Sequence, residues 1–506
     1  GVILITTKKG KSKPGLGITF SSSFGTESAF THPEMQDTYG QGTTGVYDNR
    51  SNLSWGPEIT GQNLENWNGV EKPLSAYDNV KNYFDRGTSQ NYNLSFQQQF
   101  ENSSVYTSLS RSNEKSVIPG AELTKTNLTT RAFSEFGNGK KWSIDAKVQY
   151  LNSEANNRPL LGHNYSNPFF TMYLLPRSLD ITEFENSVDE SGKMVWYGGS
   201  NQINPYWATK YALNNDSRDR FLLYSSLKHK FNNWLSAEIN AGSDIYTTNY
   251  ETKRYSGSPI DPNGNYSLGK ETFYENNFST LITAQKDNIF SKLGATASVG
   301  GNIMDQEFSS LRSSSGELEV PNLFALNNGK TNPSVDERYY QKRILSMYGT
   351  LQLNWDGYLF VDGSLRNDWS STLSDENRSF VYPSVSTSLV ITDMLEKLNT
   401  NAPAWLTFAR IRASVAQVGN SLNPYELYNT YRIGNDPLGN TTATTNNILF
   451  DPNIQSEKIT SREIGADIRF FNNRLGFGFT WYKSNATNQL LNLPMDPLSG
   501  YNFMKI

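Results

Sequence analysis

Along most of the chain, apolar and polar residues alternate one for one in runs of about ten residues, and no segment keeps an apolar stripe of helical period. Successive side chains of a strand point to opposite faces, so the pattern commits the chain to strands with one apolar and one polar face. The clearest run is 142–150. Trp142, Ile144, Ala146, Val148 and Tyr150 share one face, and Ser143, Asp145, Lys147 and Gln149 share the other. Residues 347–355, 409–415, 464–470 and 475–481 repeat it, the last with Leu475, Phe477, Phe479 and Trp481 opposite Gly476, Gly478 and Thr480. Further strands are predicted near 16–24, 91–100, 104–111, 123–136, 220–231, 235–248, 272–287, 290–304, 358–368 and 380–391, about fifteen in all. Short helices are predicted only at 75–86 and 392–399.

The connections fall into two classes. Phe136-Gly137-Asn138-Gly139-Lys140, Phe231-Asn232-Asn233-Trp234, Asp287-Asn288-Ile289-Phe290, Trp355-Asp356-Gly357-Tyr358 and Phe471-Asn472-Asn473-Arg474 are short and rich in residues that tolerate positive φ. The segments near 25–90, 152–218, 249–270, 305–337 and 418–458 are long. Short turns at one end, long loops at the other and aromatics beside the turns are the marks of an outer-membrane barrel. Sandwiches, propellers and soluble barrels use the same alternation. A propeller would repeat every ~40–50 residues, a period absent here, and a sandwich seldom joins such long strands with such unequal loops.

Composition narrows the function classes. Aromatics are 13% of the chain while hydrophobic residues in total are only 36%, too sparse for a helical membrane span and too aromatic for disorder. Lys and Arg (45) nearly balance Asp and Glu (49), which gives no footprint for nucleic acid. The absence of Cys removes disulfides, thiolate metal sites and thiol nucleophiles, and three scattered His residues (His32, His163, His229) suggest no metal centre. No catalytic residue, cofactor site or metal site is proposed, and the chain is not expected to be an enzyme. Asp261-Pro262-Asn263-Gly264-Asn265 has oxygen donors at calcium-like spacing but lacks a closing Glu, and reads as a turn.

Specific segments carry a family resemblance. Gly1-Val2-Ile3-Leu4-Ile5-Thr6-Thr7-Lys8-Lys9-Gly10 resembles the end of the plug domain in SusC/RagA-family TonB-dependent transporters. Asn91–Ser95 with Val105–Ser110 is similar to that family's early barrel hairpin, and Asn204-Pro205-Tyr206-Trp207 to a recurrent loop motif. Arg366-Asn367-Asp368-Trp369-Ser370-Ser371, Tyr382-Pro383-Ser384, Ile411–Asn420 and the hairpin Ser456–Leu475 resemble later barrel segments, all in family order. A departure is Gln97-Gln98-Gln99-Phe100, where the family usually has Ser-Gly-Gly. The resemblance implies an all-β fold: an incomplete transmembrane antiparallel barrel, with residues 1–13 as the end of a plug domain and 14–506 as partial barrel. On this reading the sequence is an internal stretch whose flanks, with the plug proper and its TonB-binding segment, are missing.

The implied activity is TonB-dependent import of oligosaccharides or oligopeptides across the outer membrane of a Gram-negative bacterium of the Bacteroidetes. The implied partners are a SusD-like surface lipoprotein, the TonB–ExbB–ExbD complex, outer-membrane lipid and the substrate. No cofactor is implied, and no nucleic acid. The alternatives are a passive porin or a substrate-binding barrel without active transport. Trp55, Trp67, Trp196, Tyr197, Tyr206 and Trp207 fall in long loops beside Asn and Asp, where rings stack on sugars, meet a lid protein or pack the loop itself. They are the candidate ligand or lid contacts.

Overall fold

A computed structural model describes residues 10–11, 16–198, 202–400 and 402–505. The strand expected at Gly1–Thr7 lies outside the described residues. Fifteen strands form one antiparallel sheet in sequence order. They are β1 (Ile18–Glu27), β2 (Gly87–Gln99), β3 (Ser103–Lys115), β4 (Glu122–Phe136), β5 (Trp142–Asn156), β6 (Ala212–Lys230), β7 (Leu235–Arg254) and β8 (Asn265–Phe290). β9 (Leu293–Glu317), β10 (Ser334–Trp355), β11 (Leu359–Ser370), β12 (Ser379–Val390), β13 (Leu406–Asn420), β14 (Glu457–Phe470) and β15 (Leu475–Thr487) complete it. Each strand pairs with its neighbours in sequence, and β1 and β15 remain the two edges among the described residues.

The sheet is inverted relative to a soluble protein. On β5, Val148 is 52% exposed on the apolar face, whereas Asp145 on the polar face is only 9% exposed. Neighbouring strands continue the same outer face. Leu223 of β6 opposes Val148 and Leu227 opposes Ile144, and all four are exposed. Ile239, Phe278, Ile303, Leu345, Leu365, Val385, Ile411 and Ile464 extend this exposed apolar band across β7 to β14. Such a surface is costly in water and favourable in lipid. The polar face is cross-linked instead. Arg131 grips Asp145 with two bonds of 2.7 Å, Arg410 and Arg412 converge on Asp467 at 2.8 and 3.1 Å, and Arg366 meets Asp368 at 2.8 Å.

The longest connections (28–86, 157–211, 318–333 and 421–456) leave one end of the sheet and the tight turns the other, where 391–405, which carries a short helix, is the exception. Three details differ from the sequence reading. The loop expected at 249–270 shrinks to 255–264, and that at 305–337 to 318–333, because β7 to β10 run far beyond the apolar band. In those outer segments both faces are polar, so the alternation vanishes although pairing continues. The turn expected at 287–290 is a register irregularity inside the β8–β9 hairpin, with Asn288 at φ 57°, and the chain reverses at 291–292. The helix expected at 75–86 contracts to α1 (Asn79–Tyr83), its N-terminus capped by Asp78. The other long-loop helices are α2 (Pro168–Leu174) and α3 (Pro205–Tyr211), and α4 (Ile391–Lys397) falls where 392–399 was expected.

Candidate functional site

Two regions hold the candidate residues and the polar lining: a cap built from loops, and the polar wall below it. The cap forms where loop 28–86 packs on loop 157–211. Connections this long need a core of their own to stay ordered. Here Tyr83, Met172, Leu175, Leu179, Ile181, Phe184, Tyr197 and Tyr206 supply it. Glu183 ties the two loops, accepting bonds from Asn66 Nδ2 (3.0 Å) and Trp67 Nε1 (2.8 Å) and pairing with Lys72. The motif Asn204-Pro205-Tyr206-Trp207 explains itself at this point. Asn204 is fully buried. Its Oδ1 accepts from Tyr206 N at 2.9 Å and caps α3, Pro205 opens the helix, and its Nδ2 donates to the carbonyls of Phe184 (2.8 Å) and Val195 (3.0 Å).

The six ring residues picked from the sequence separate into two groups. Trp55 is 59% exposed, 5.7 Å from Tyr39. The other five pack inward. Trp67 and Trp196 each lie 4.7 Å from Phe184, and the Tyr197 hydroxyl donates to Gln202 at 3.1 Å. Tyr206 meets Tyr83 edge-on at 5.0 Å, and Trp207, only 2% exposed, packs 4.6 Å from Tyr211. Burial pushes the Tyr206 phenol up to about 12, and lifts Tyr83 and Tyr197 above the usual phenol range as well. Tyr197 and Tyr206 belong to the cap core, Trp67 and Trp196 pack against it, and Trp207 forms a second cluster with Ile203 and Ala208, because rings this large are what a loop assembly has to bury. Of the six, Trp55 alone presents a broad surface to solvent.

Below the cap, the polar face borders a cavity of about 1110 Å³ between β1 and β9. Serines and asparagines dominate its β1–β5 side, among them Ser21, Asn93, Ser110 and Asn127. Its cations are mostly matched: Lys125 with Glu114 (3.3 Å), Arg158 with Asp216 (2.5 Å), Arg220 with Asp244 (2.5 Å) and Arg312 with Glu271 (2.6 Å). The sequence reading missed these pairs. Three of them meet across neighbouring strands through register, and Arg158 reaches Asp216 from the loop that follows β5.

Elsewhere the geometry is structural. Asp261–Gly264 is a turn closed by Gly264 N to Asp261 O at 3.2 Å, with Gly264 at φ 81°. His229 packs 4.1 Å from Trp142 on the outer face, and His163 lies 4.6 Å from Phe170. Among the described residues no group of three or more His, Cys, Asp or Glu is placed to hold a metal ion.

Comparison with known proteins agrees with this architecture. The family model described as TonB dependent receptor-like, beta-barrel matches residues 173–503. TonB-dependent receptor P26 of Formosa agariphila is 23% identical over 99% of this chain and 49% of its own length. TonB-dependent receptor P3 of the same organism is 25% identical over 32% of this chain and 16% of its own length. Among solved structures, a chain of the RagAB peptide transporter superposes with a TM-score of 0.79 at 20% identity, over 99% of this chain and 58% of that one. The chain thus spans about half the length of the P26 relative. The match to RagAB speaks for the fold, and the family model covers well over half of the sequence. The chain belongs to the TonB dependent receptor-like β-barrel family.

Proposed function

We propose that the complete protein imports oligosaccharides or oligopeptides across the outer membrane, driven by TonB and working with a SusD-like surface lipoprotein. The observation that carries this reading is the inverted sheet. Apolar residues face out all along the band from β5 to β14, while a cross-linked polar wall lines the inner face, as in a barrel that encloses a water-filled or plugged lumen. Membership of a TonB-dependent receptor family supplies the energy source, and the RagAB importer gives a precedent for a peptide cargo on this fold. Within this reading residues 1–13 end a plug domain, 14–506 form the barrel wall, and the loop cap faces the cell exterior, where the lipoprotein would dock. The chemistry is binding and passage. Nothing in the proposal requires a bond to be broken.

The test is uptake of labelled oligosaccharides and oligopeptides by cells with and without TonB, each with and without this gene. Gene-dependent uptake should vanish when TonB is deleted. Gene-dependent uptake that persists without TonB would overturn active import and favour a passive pore.

A further inference from the structure

The outward face of β7 to β11 is not an even apolar surface. Two rows of residues cross it in register. Ala241, Phe278, Ile303, Leu345 and Trp369 form the row nearer the long loops, and Ile239, Thr280, Gly301, Met347 and Asn367 form the next. The second row is interrupted at Gly301, which has no side chain, between Thr280 and Met347. A groove of about 840 Å³ lies there, walled by Ile239, Phe278, Ile303, Leu345, Met347 and Trp369. A Cβ at Gly301 would meet only Ser346 O, at 3.4 Å, so the missing side chain leaves open space on the outer face instead of relieving a clash.

The groove ends in charge on the side of the long loops. Arg343 of β10 and Arg378, which lies between β11 and β12, both border it. Arg343 is in register with Asp305 of β9 and pairs with it, and Arg378 pairs with Asp375 at 3.0 Å. Arg343 N also donates to Ser371 Oγ at 2.9 Å, which ties the two parts of this rim together. Both arginine side chains are more than half exposed, Asp305 is 41% exposed and Asp375 is 91% exposed. Among the described residues neither guanidinium gives more than one N–H to a side chain. A guanidinium has five such donors, so most of them remain free for a ligand.

A trough in the lipid-facing side of a membrane wall is covered by hydrocarbon chains. Its charged end then selects the head group. The free N–H donors of two arginines suit a phosphate. The two carboxylates beside them suit an ammonium. The four side chains together carry no net charge. A head group of net negative charge would meet the carboxylates uncompensated at the edge of a low-dielectric layer, where an unmatched charge is costly. A phosphate and a primary ammonium on one short linker satisfy both sets at once and keep the site neutral. An arginine at a membrane boundary can also simply reach up to the head-group layer. That role requires neither a groove beneath it nor carboxylates beside it.

We propose that this groove binds a two-chain lipid with a phosphoethanolamine head group, its chains lying against Gly301 and its head group at Arg343 and Arg378. The site needs only that the outer face lie in lipid, and it is independent of the cargo and of TonB. The test is native mass spectrometry of the full-length protein in detergent, titrated with phosphatidylethanolamine, phosphatidylcholine and phosphatidylglycerol of matched chains, and with diphosphoryl lipid A. The expected result is one site that holds phosphatidylethanolamine at least fivefold more tightly than each of the other three. The choline head differs by three methyl groups, which remove the N–H donors that the carboxylates accept. G301L fills the trough and should weaken phosphatidylethanolamine binding at least fivefold. R343Q/R378Q should weaken it as much and erase the preference over phosphatidylcholine. K270Q alters an exposed cation on the same face of β8, outside the groove, and should leave binding within twofold. Retained heat-modifiable gel migration shows that the variants are folded barrels. Equal binding of phosphatidylethanolamine and phosphatidylcholine, preference for phosphatidylglycerol or lipid A, or unchanged affinity in G301L or in R343Q/R378Q would each overturn the site. So would a loss in K270Q as large as that in R343Q/R378Q, which would reduce the effect to general attraction between surface cations and lipid.

Discussion

At the scale of single residues, the cap rests on a few polar side chains that satisfy several partners at once. Asn204 is the clearest. One buried amide closes a helix N-terminus and binds two carbonyls from separate parts of the loop. Asn204→Ala removes the cap, worth about 1 kcal/mol, and leaves two carbonyls without their donor, adding roughly 1–2 kcal/mol. The loss should be local, because the sheet does not depend on this residue. Limited proteolysis of the variant should cut within 157–211 well before the wild type, with barrel migration unchanged. Equal protection of both proteins would mean that the loop is held some other way. Glu183 is a similar junction, drawing Asn66, Trp67 and Lys72 from one loop onto another. Neither role is legible in the sequence. The Asn-Pro pair signals a helix start, but not what the second half of the amide reaches.

At the scale of elements, the question is which face of each strand meets lipid. Ala146 lies on the outer face of β5 between Ile144 and Val148, and Lys147 lies on the inner face opposite Arg131 and Tyr224. Ala146→Arg puts a charge near the middle of the apolar band and should cost about 2–4 kcal/mol in unfolding from vesicles. Lys147→Ala removes one of two like charges in direct register and should change stability by less than about 0.5 kcal/mol. Equal costs at both positions would contradict the assignment of faces. The fifteen strands and their faces were readable in advance because the alternation is strongest where one side must be apolar. The outer reaches of β7 to β10 were not, since with water on both sides nothing forces a period of two. The extra length of β8 was hidden by Asn288, which reads as a turn residue and in fact sits in an irregular stretch of the hairpin. The candidate rings were legible as rings but not as core. Sequence separates exposed Trp55 from buried Trp207 only once the partner loop is known.

At the scale of the whole molecule, the family and the inverted sheet describe a membrane wall with a polar inner face. Rows of paired residues give that face its character, and these belong to no single strand. Arg220, Tyr246, Phe273, Phe308 and Tyr340 are spread over more than a hundred positions and become a line only through register. For the same reason motif and composition named the fold but left the substrate open. The most direct test of the account is site-by-site accessibility along β5, which the absence of native Cys makes clean. Single Cys residues at positions 144 to 149 of the full-length protein would be probed in intact outer membranes with a water-soluble thiol reagent and a lipid-phase label. Positions 144, 146 and 148 should take the lipid label and not the aqueous one, and 145, 147 and 149 should show no lipid labelling. Aqueous labelling at 146, or lipid labelling at 147, would contradict the register and with it the claim that this sheet is a membrane wall lined by its polar face.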